Sequence, residues 1–229
     1  MFTALSPPAA RFLAHQPWYA PLPAALQARV QDGVRTQSGD KGSVLLHAGD
    51  PVLGWYAVLS GLAKLQSQSP DGRLSVFLGV PAGEWFGEGS VLKTEPRRYD
   101  VVALRDTELL CLPRGLFDEL RRCSLEFNQF LVTHLNLRLG QAMAIIEAGR
   151  IRTPEQRVAL YLSRLFWHGQ RKLALSQEEL GHLVGLSRQT VNRVLQSLEQ
   201  RRLVSLAFGR VSILDDESLT AFLTNPGAE

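Results

Sequence analysis

Side chains that can read base pairs are concentrated in one short segment near the C-terminal end of the chain. The guanidinium groups of Arg188 and Arg193 can pair bidentately with guanine O6 and N7, and the amide of Gln189 can pair with adenine N6 and N7. Neighbouring hydroxyl and amide groups suit phosphate oxygens, which orient a protein on the duplex. The predicted DNA contacts of this segment are Ser187, Arg188, Gln189, Thr190, Asn192 and Arg193.

Two short helices joined by a sharp turn must present these side chains. Ser176 and Glu179 have the spacing of a capping box that begins the first helix, and Gly185 can end that helix in the left-handed conformation. Ser187 can cap the second helix, and the small residue Gly181 lies where the two helices are expected to cross. The apolar positions of the pair are Leu180, Leu183, Val184, Val191, Val194, Leu195 and Leu198. This pattern is typical of a helix-turn-helix.

A predicted β-hairpin follows the second helix. Apolar runs at 203–206 and 211–214 flank the sequence Ala207-Phe208-Gly209-Arg210, which predicts the wing of a winged helix. Arg210 at its tip is expected to contact backbone phosphate. Residues 150–210 carry 11 basic and 4 acidic side chains, whereas residues 1–149 carry 14 of each. A basic C-terminal region favours a polyanionic partner, because phosphate neutralisation releases counterions.

One long helix is predicted between the two ends of the chain. From residue 116 to 148 glycine occurs only at Gly140 and proline is absent. An apolar stripe with alternating spacings of 3 and 4 is formed by Val132, Leu135, Leu139, Ala142, Ile146 and Gly149. Such a heptad seam favours pairing with a second copy in a parallel homodimer, although it can also pack on the chain's own N-terminal domain. A capping sequence from Thr153 to Gln156 opens the next helix, so a hinge is expected at 150–153.

Short strands are predicted in the N-terminal half. Apolar runs alternate with turn residues from position 34 to 113 at roughly 8–12-residue spacing, which indicates a sandwich or barrel-like roll. Pro70-Asp71-Gly72 is a hairpin signal. The expected fold is α+β, with an N-terminal β-roll at 1–124, a dimerisation helix at 125–150 and a winged helix at 151–229.

One segment of this half does not have the pattern of a strand. Residues 83–92 contain three glycines within seven residues, which allow a close approach of the backbone to a ligand, and Ser90 to Leu92 can form one helical turn. Arg98 follows Glu88 by ten residues, so the two side chains can hold a sugar hydroxyl and a phosphate. A tight turn with a Glu88–Arg98 ion pair explains the same residues, and both interpretations stay open.

Composition excludes several classes of protein. The chain of 229 residues is 45% hydrophobic and 21% charged, which is typical of a folded protein of one or two domains. No stretch reaches the ~20 apolar residues of a membrane span, and the N-terminus does not resemble a signal peptide, so a cytoplasmic location without membrane attachment is expected. Two cysteines, Cys111 and Cys123, cannot form a four-cysteine iron–sulfur site.

Two other functions compete with DNA binding. A metal enzyme on a cupin-like roll needs clustered ligands, but the histidines are scattered at His15, His47, His134, His168 and His182. No catalytic residue and no metal ligand set is therefore predicted. The other alternative is a nucleotide-sensing roll that regulates a partner protein without binding DNA, and the helix-turn-helix argues against it.

Residues 33–213 resemble the Crp/Fnr superfamily of bacterial transcription regulators. The resemblance lies in the turn from His47 to Pro51, the strand end from Tyr56 to Gly61, Phe86-Gly87-Glu88, Arg98, the long helix and residues 175–204. It implies a homodimer, a cyclic-nucleotide-binding-like roll, a winged helix that binds palindromic double-stranded DNA, and RNA polymerase as a further partner. It also implies that Arg188, Gln189 and Arg193 contact bases, with Gln189 at a position that is usually glutamate in the archetype.

The same resemblance implies an effector site in the roll. Its residues are Gly87, Glu88, Gly89, Ser90, Arg98 and Tyr99. Tyr99 stands where cyclic-AMP binders have a small hydroxyl residue, and Ala142 with Met143 replaces the polar pair that meets adenine. Three possibilities therefore stay open: the effector is cyclic AMP, it is another small anion, or the chain needs no effector. A haem sensor would need an iron ligand such as His47 or His134.

Overall fold

The computed structural model describes residues 6–151, 153–167 and 171–224. The chain divides into two compact units, Met1–Asn136 and Leu137–Glu229. This boundary falls inside the longest helix and differs from the expected divisions after residues 124 and 150. The reason is packing: Phe127 belongs to the core of the first unit, whereas Gln141 donates a hydrogen bond of 2.7 Å to the carbonyl oxygen of Leu165 in the second.

The first unit is an antiparallel β-roll flanked by helices. Its elements are α1 (Pro7–Ala14), α2 (Ala24–Gly33), β1 (Arg35–Gly39), β2 (Val44–Leu46), β3 (Gly54–Ser60), β4 (Leu62–Gln68), β5 (Leu74–Pro81), β6 (Trp85–Phe86), α3 (Glu88–Lys93), β7 (Asp100–Ala103), β8 (Thr107–Pro113), α4 (Arg114–Cys123) and α5 (Leu125–Ile151), of which α5 continues into the second unit. The strands form two four-stranded sheets, ordered β1-β8-β3-β6 and β2-β7-β4-β5. The predicted roll and long helix are confirmed.

Turn chemistry sets the register of the roll. The β4–β5 hairpin pairs Gln68 with Leu74, and Gly72 in its turn has a φ of +82°, as the Pro-Asp-Gly sequence predicted. Gly61 joins β3 to β4 with a φ of +92°, and a Cβ there would overlap the carbonyl oxygen of Asp106. Only glycine fits at that crossing because both the conformation and the space exclude a side chain.

An aromatic core lies on the outer face of the first sheet. Trp55 of β3 and Trp85 of β6 are stacked with ring centroids 4.3 Å apart, and the ring of Trp18 packs edge-on against Phe127 at 5.0 Å. Gln16, which follows α1, accepts a hydrogen bond of 2.9 Å from the indole of Trp85. Neither α1 nor α2, which cover this face of the sheet, was predicted from the sequence.

The second unit adds helices and a small sheet to the C-terminal part of α5. Its elements are α6 (Pro154–Leu162), α7 (Arg164–Trp167), β9 (Lys172–Leu173), α8 (Gln177–Val184), α9 (Arg188–Gln200), β10 (Val204–Ala207), β11 (Arg210–Ile213) and α10 (Asp216–Thr224). The predicted wing is confirmed within one residue at each strand. The short strand β9 and α10 were not predicted; β9 extends the hairpin to a sheet ordered β10-β11-β9.

A capping box begins α6. The Thr153 side chain accepts from the Gln156 backbone N–H, and the Gln156 side chain accepts from the Thr153 backbone N–H. This confirms the predicted helix start, which satisfies two amide donors that the first turn of a helix leaves unpaired. Within the described part of the chain, no helix combines the length and the apolar character needed to cross a membrane.

Candidate nucleic-acid interface and effector site

Capping interactions define both helices of the helix-turn-helix. Ser176 Oγ accepts from the Glu179 backbone N–H at 3.2 Å, and Glu179 Oε2 accepts from the Ser176 N–H at 2.7 Å. Gly185 ends α8 with a φ of +67°, and Ser187 Oγ accepts from the Thr190 N–H at 3.1 Å to begin α9. The predicted helix boundaries are therefore confirmed, and they set where α9 begins to expose side chains.

The turn between α8 and α9 packs tightly on Gly181. A Cβ on this residue would lie 2.8 Å from the carbonyl oxygen of Leu186. That oxygen belongs to the backbone and cannot rotate away, so a larger residue would have to displace the turn. Arg157 of α6 also donates a hydrogen bond of 2.6 Å to the carbonyl of Val184, which ties α8 to the preceding helix.

Helix α9 has two clearly different faces. Its inner stripe is buried against the unit's core and consists of Val191, Val194, Leu195 and Leu198. Arg188, Gln189 and Arg193 are exposed on the first half of the helix. These three predicted base-contacting side chains therefore share one accessible surface, as a helix that enters the major groove by its N-terminal half requires.

The other polar residues of this segment are less free. Ser187 Oγ and Thr190 Oγ1 form a hydrogen bond of 2.9 Å with each other. Asn192 is half-buried, and its Oδ1 accepts from Gln177 Nε2 at 2.8 Å. Asn192 thus links α9 to α8 and is less accessible than a predicted DNA contact should be. The spacing of residues along α9 does not show this, because the partner side chain comes from the neighbouring helix.

The wing is anchored to α9. Glu199 Oε1 of α9 accepts a hydrogen bond of 2.7 Å from the Leu206 backbone N–H of β10. The two-residue turn at the tip is Phe208-Gly209, and Arg210 begins the returning strand with an exposed side chain. Arg188 and Arg210 line the same groove, which has a volume of about 350 Å³. The two arginines therefore belong to one surface of the second unit.

The inner face of the first sheet carries a buried cation. By strand alternation, Tyr56 and Cys111 point away from the aromatic core, toward the inside of the roll. The guanidinium of Arg97 lies over the Tyr56 ring, 5.0 Å from its centroid, and the residue is only 3% exposed. Arg97 Nη1 makes no hydrogen bond within the described residues. Burial raises the pKa of the Cys111 thiol to about 11 and also raises the pKa of Tyr56, so neither group supplies a counter-charge at neutral pH.

The expected Glu88–Arg98 ion pair is wrong. The Arg98 side chain is 71% exposed and pairs with Glu95 at 3.0 Å. Glu88 Oε2 instead lies 3.4 Å from Nε2 of His134 on α5; the His134 side chain is buried and that of Glu88 is 13% exposed. The predicted effector residue Arg98 is thus not brought to Glu88, because the chain turns Arg97 inward and Arg98 outward.

The remaining predicted effector residues occupy two places. Gly87 has a φ of +88° and precedes α3, which contains Glu88, Gly89 and Ser90; this confirms the helical turn expected at Ser90 to Leu92. Tyr99 is half-buried beside Phe77, with ring centroids 6.4 Å apart. Neither the burial of Arg97 nor the contact of His134 with Glu88 was predicted from the sequence. Arg97 and Arg98 are adjacent and look alike until the backbone shows which one faces inward.

The heptad seam of α5 is left largely open. Val132, Leu139 and Ile146 are 65%, 61% and 57% exposed, and Ala142 and Gly149 are exposed as well. Leu135 is the exception, since it is half-buried against the core of the first unit. Within the described ranges, no three histidine, cysteine or acidic side chains come together as a metal-ion site.

Comparison with known proteins matches two family models to the chain. The cyclic nucleotide-binding domain matches residues 37–122, and the Crp-like helix-turn-helix domain matches residues 156–222. The cyclic AMP receptor protein of Thermus thermophilus is 33% identical over 175 residues, covering 76% of this chain and 81% of that protein. The cAMP-activated global transcriptional regulator of Haemophilus influenzae is 26% identical over 170 residues, covering 71% and 76%.

A solved structure supports the fold. That of FixK2 from Bradyrhizobium japonicum superposes with a TM-score of 0.69 at 20% identity, over 82% of this chain and 96% of that chain.

Proposed function

This chain belongs to the Crp/Fnr superfamily of transcriptional regulators, and from that premise we propose that it binds a palindromic DNA site as a homodimer whose β-roll responds to a small anionic effector. The family consists of regulators and not of enzymes. We assign the sensor to residues 1–124, the dimerisation helix to 125–150 and the DNA-binding domain to 151–229. The observation that carries the proposal is the exposed, capped first half of α9.

Base recognition is assigned to three side chains. Arg188, Gln189 and Arg193 project from one accessible face of α9, while the opposite face is fixed in the core. Bidentate pairing of arginine with guanine discriminates that base from the other three. Phosphate contacts are assigned to Ser187, Thr190 and Arg210, with Asn192 acting through its hydrogen bond to α8.

Dimerisation is assigned to the open seam of α5. Large apolar side chains that stay more than half exposed on one stripe are best explained by a partner helix with the same stripe. A twofold dimer presents two copies of α9, which suits a palindromic site. The seam residues are Val132, Leu135, Leu139, Ala142, Ile146 and Gly149.

Effector recognition is assigned to the inside of the roll. A buried guanidinium without a carboxylate partner is costly unless an anion accompanies it, and Arg97 meets that description within the described residues. We therefore place Arg97, rather than Arg98, against the anionic group of an effector. Glu88 already faces His134, so a sugar hydroxyl would have to compete with that contact.

The DNA-binding proposal is tested with Arg188→Ala. The variant should lose about 1–3 kcal/mol of binding free energy on a duplex selected by the wild-type chain, and it should tolerate base changes at one position of each half-site. Arg73→Ala is a matched control, because Arg73 is 87% exposed but lies in the β4–β5 hairpin of the other unit. Uniform weakening on all duplexes with the site preference intact would contradict base reading. If the wild-type chain binds no duplex from a random library, the alternative is favoured, in which the roll senses a nucleotide and regulates a partner protein without binding DNA.

The effector proposal is tested by thermal shift. Cyclic AMP, other cyclic nucleotides and small inorganic and organic anions are added to the wild-type chain, since binding to the native state raises the melting temperature. We expect an anion to raise it, and we expect Arg97→Met to abolish the response. A response of equal size in Arg97→Met and its loss in Arg98→Met would return the role to Arg98.

A further inference from the structure

The tip of the wing carries a phenylalanine that is completely exposed. The relative exposure of Phe208 is 105%, whereas the next most exposed large hydrophobic side chain in the described ranges, Leu125, reaches 67%. Gly209 beside it has a φ of +64°, and Ala207 pairs with Arg210 to close the turn. Polar residues usually occupy such turns, so a full aromatic ring in water at this place calls for a partner.

The hairpin holds this ring in a defined position. Val204 and Ile213, which pair at its base, are 0% and 3% exposed, and β11 is paired with β9 on its other side. The Leu206 N–H is bonded to Glu199 of α9 at 2.7 Å. The tip is therefore presented by a structure that is fixed both to the unit's core and to the recognition helix.

Phe208 shares a groove with Arg188, one of the proposed base-reading residues. It lines the groove that also contains Arg188 at the start of α9 and Arg210 on the wing. When α9 lies in a major groove, a projection at the rim of that groove meets the sugar–phosphate edge and then the adjoining minor groove. Arg188 and Arg210, which line the same groove, attract phosphate groups. These charges favour DNA over a protein as the molecule that Phe208 contacts.

We infer that Phe208 is an apolar DNA contact that inserts at the minor-groove edge of a base step next to the site read by α9. Apolar side chains in this position partly unstack a step, and pyrimidine–purine steps yield most easily. Phe208 thereby makes the chain prefer sites that are flanked by flexible base steps. This preference comes from insertion of the ring and needs no hydrogen bond from the wing to a base. The inference rests on the proposed function, because it needs α9 in a major groove.

The experiment compares variants of the full-length chain on one duplex. The duplex is selected from a random library with the wild-type chain, and dissociation constants are measured between about 50 and 200 mM salt. Phe208→Ala should weaken binding on the order of 10-fold with an unchanged salt slope, because an apolar contact is lost and no charge is removed. Arg210→Ala should instead reduce, by about one, the slope of the logarithm of the binding constant against the logarithm of the salt concentration. Leu214→Ala is the matched control, because Leu214 is 49% exposed and directly follows the wing.

A second measurement reports the unstacked step itself. Thymines in the flanking step should react with permanganate when the wild-type chain or Leu214→Ala is bound, and they should be protected when Phe208→Ala is bound at saturation. Replacing the flanking pyrimidine–purine step by an A-tract should weaken the wild type and leave Phe208→Ala unaffected.

Two results would overturn the inference while the proposed function stands. The first is a Phe208→Ala affinity within about twofold of wild type, far below the effect of losing a stacked aromatic contact. The second is equal permanganate reactivity in both complexes. A wild-type chain that selects no duplex is a different outcome, since it refutes the proposed function and this inference with it.

Discussion

Replacing Leu139 by alanine should weaken the homodimer without unfolding the protomer. The Leu139 side chain is 61% exposed in the single chain, so its remaining surface is available for a partner helix. Complete burial of a leucine is worth about 1.5–3 kcal/mol, and the exposed share corresponds to roughly 1–2 kcal/mol. A twofold dimer buries the residue twice, so Leu139→Ala should cost about 2–4 kcal/mol, which is a rise in the dissociation constant of roughly 30- to 700-fold.

Sedimentation equilibrium over a range of protein concentrations measures this change directly. Leu53→Ala is the matched control, because Leu53 is 55% exposed but lies before β3 and off the seam. Both variants should melt as the wild-type protomer does, since neither side chain is buried in the single chain. An unchanged dissociation constant for Leu139→Ala, or an equal rise for Leu53→Ala, would refute the assignment of the dimer interface to α5.

Two further substitutions and two treatments probe the folded units. Gly181→Val should destabilise the second unit by about 1–3 kcal/mol, because its side chain would collide with the carbonyl of Leu186, and an unchanged urea midpoint would contradict this packing. Leu195→Ala removes a side chain that is 0% exposed and should cost about 2–5 kcal/mol in the same assay, whereas a loss under 1 kcal/mol would mean a loosely packed core. Cys123 is exposed and should react with a thiol reagent at pH 8 in the native chain, while Cys111 should react only after unfolding. Because burial raises the pKa of Cys111 from 9.0 to about 11, its contribution to stability is present below pH 9 and is lost as the pH rises toward 11, which a pH series of melting curves would show as a falling melting temperature.

The DNA-binding half was largely predictable because its determinants are local. Ser176 with Glu179, Gly185 and Ser187 each act on backbone groups within three or four residues, so their types and spacing already define where α8 and α9 begin and end. The apolar positions of α9 follow from the helical period, and the remaining positions of the helix are then expected to be exposed. Only Asn192 deviates, since its partner Gln177 comes from the other helix.

The effector half was less predictable because its determinants are distant in sequence. The roll and its turns follow from strand-like runs and from Gly61 and Gly72, but nothing local shows which of two adjacent arginines faces inward. Contacts such as Glu88 with His134 join residues 46 positions apart and arise only when α3 and α5 are placed together. The helices α1 and α2 were missed for the same reason, since they are stabilised by the aromatic core that they cover.

By itself the sequence determined the helix-turn-helix, the wing, the strand-rich N-terminal roll and the apolar stripe of the long helix, because capping, turn chemistry and hydrophobic period act over a few residues. Tertiary structure alone decided that Arg97 is buried and Arg98 exposed, that Glu88 faces His134, and that the ring of Phe208 is left in solvent on a groove that Arg188 also lines. Those outcomes depend on which distant segments pack together, and a side chain's surroundings there are set by neighbours that its own stretch of sequence does not contain.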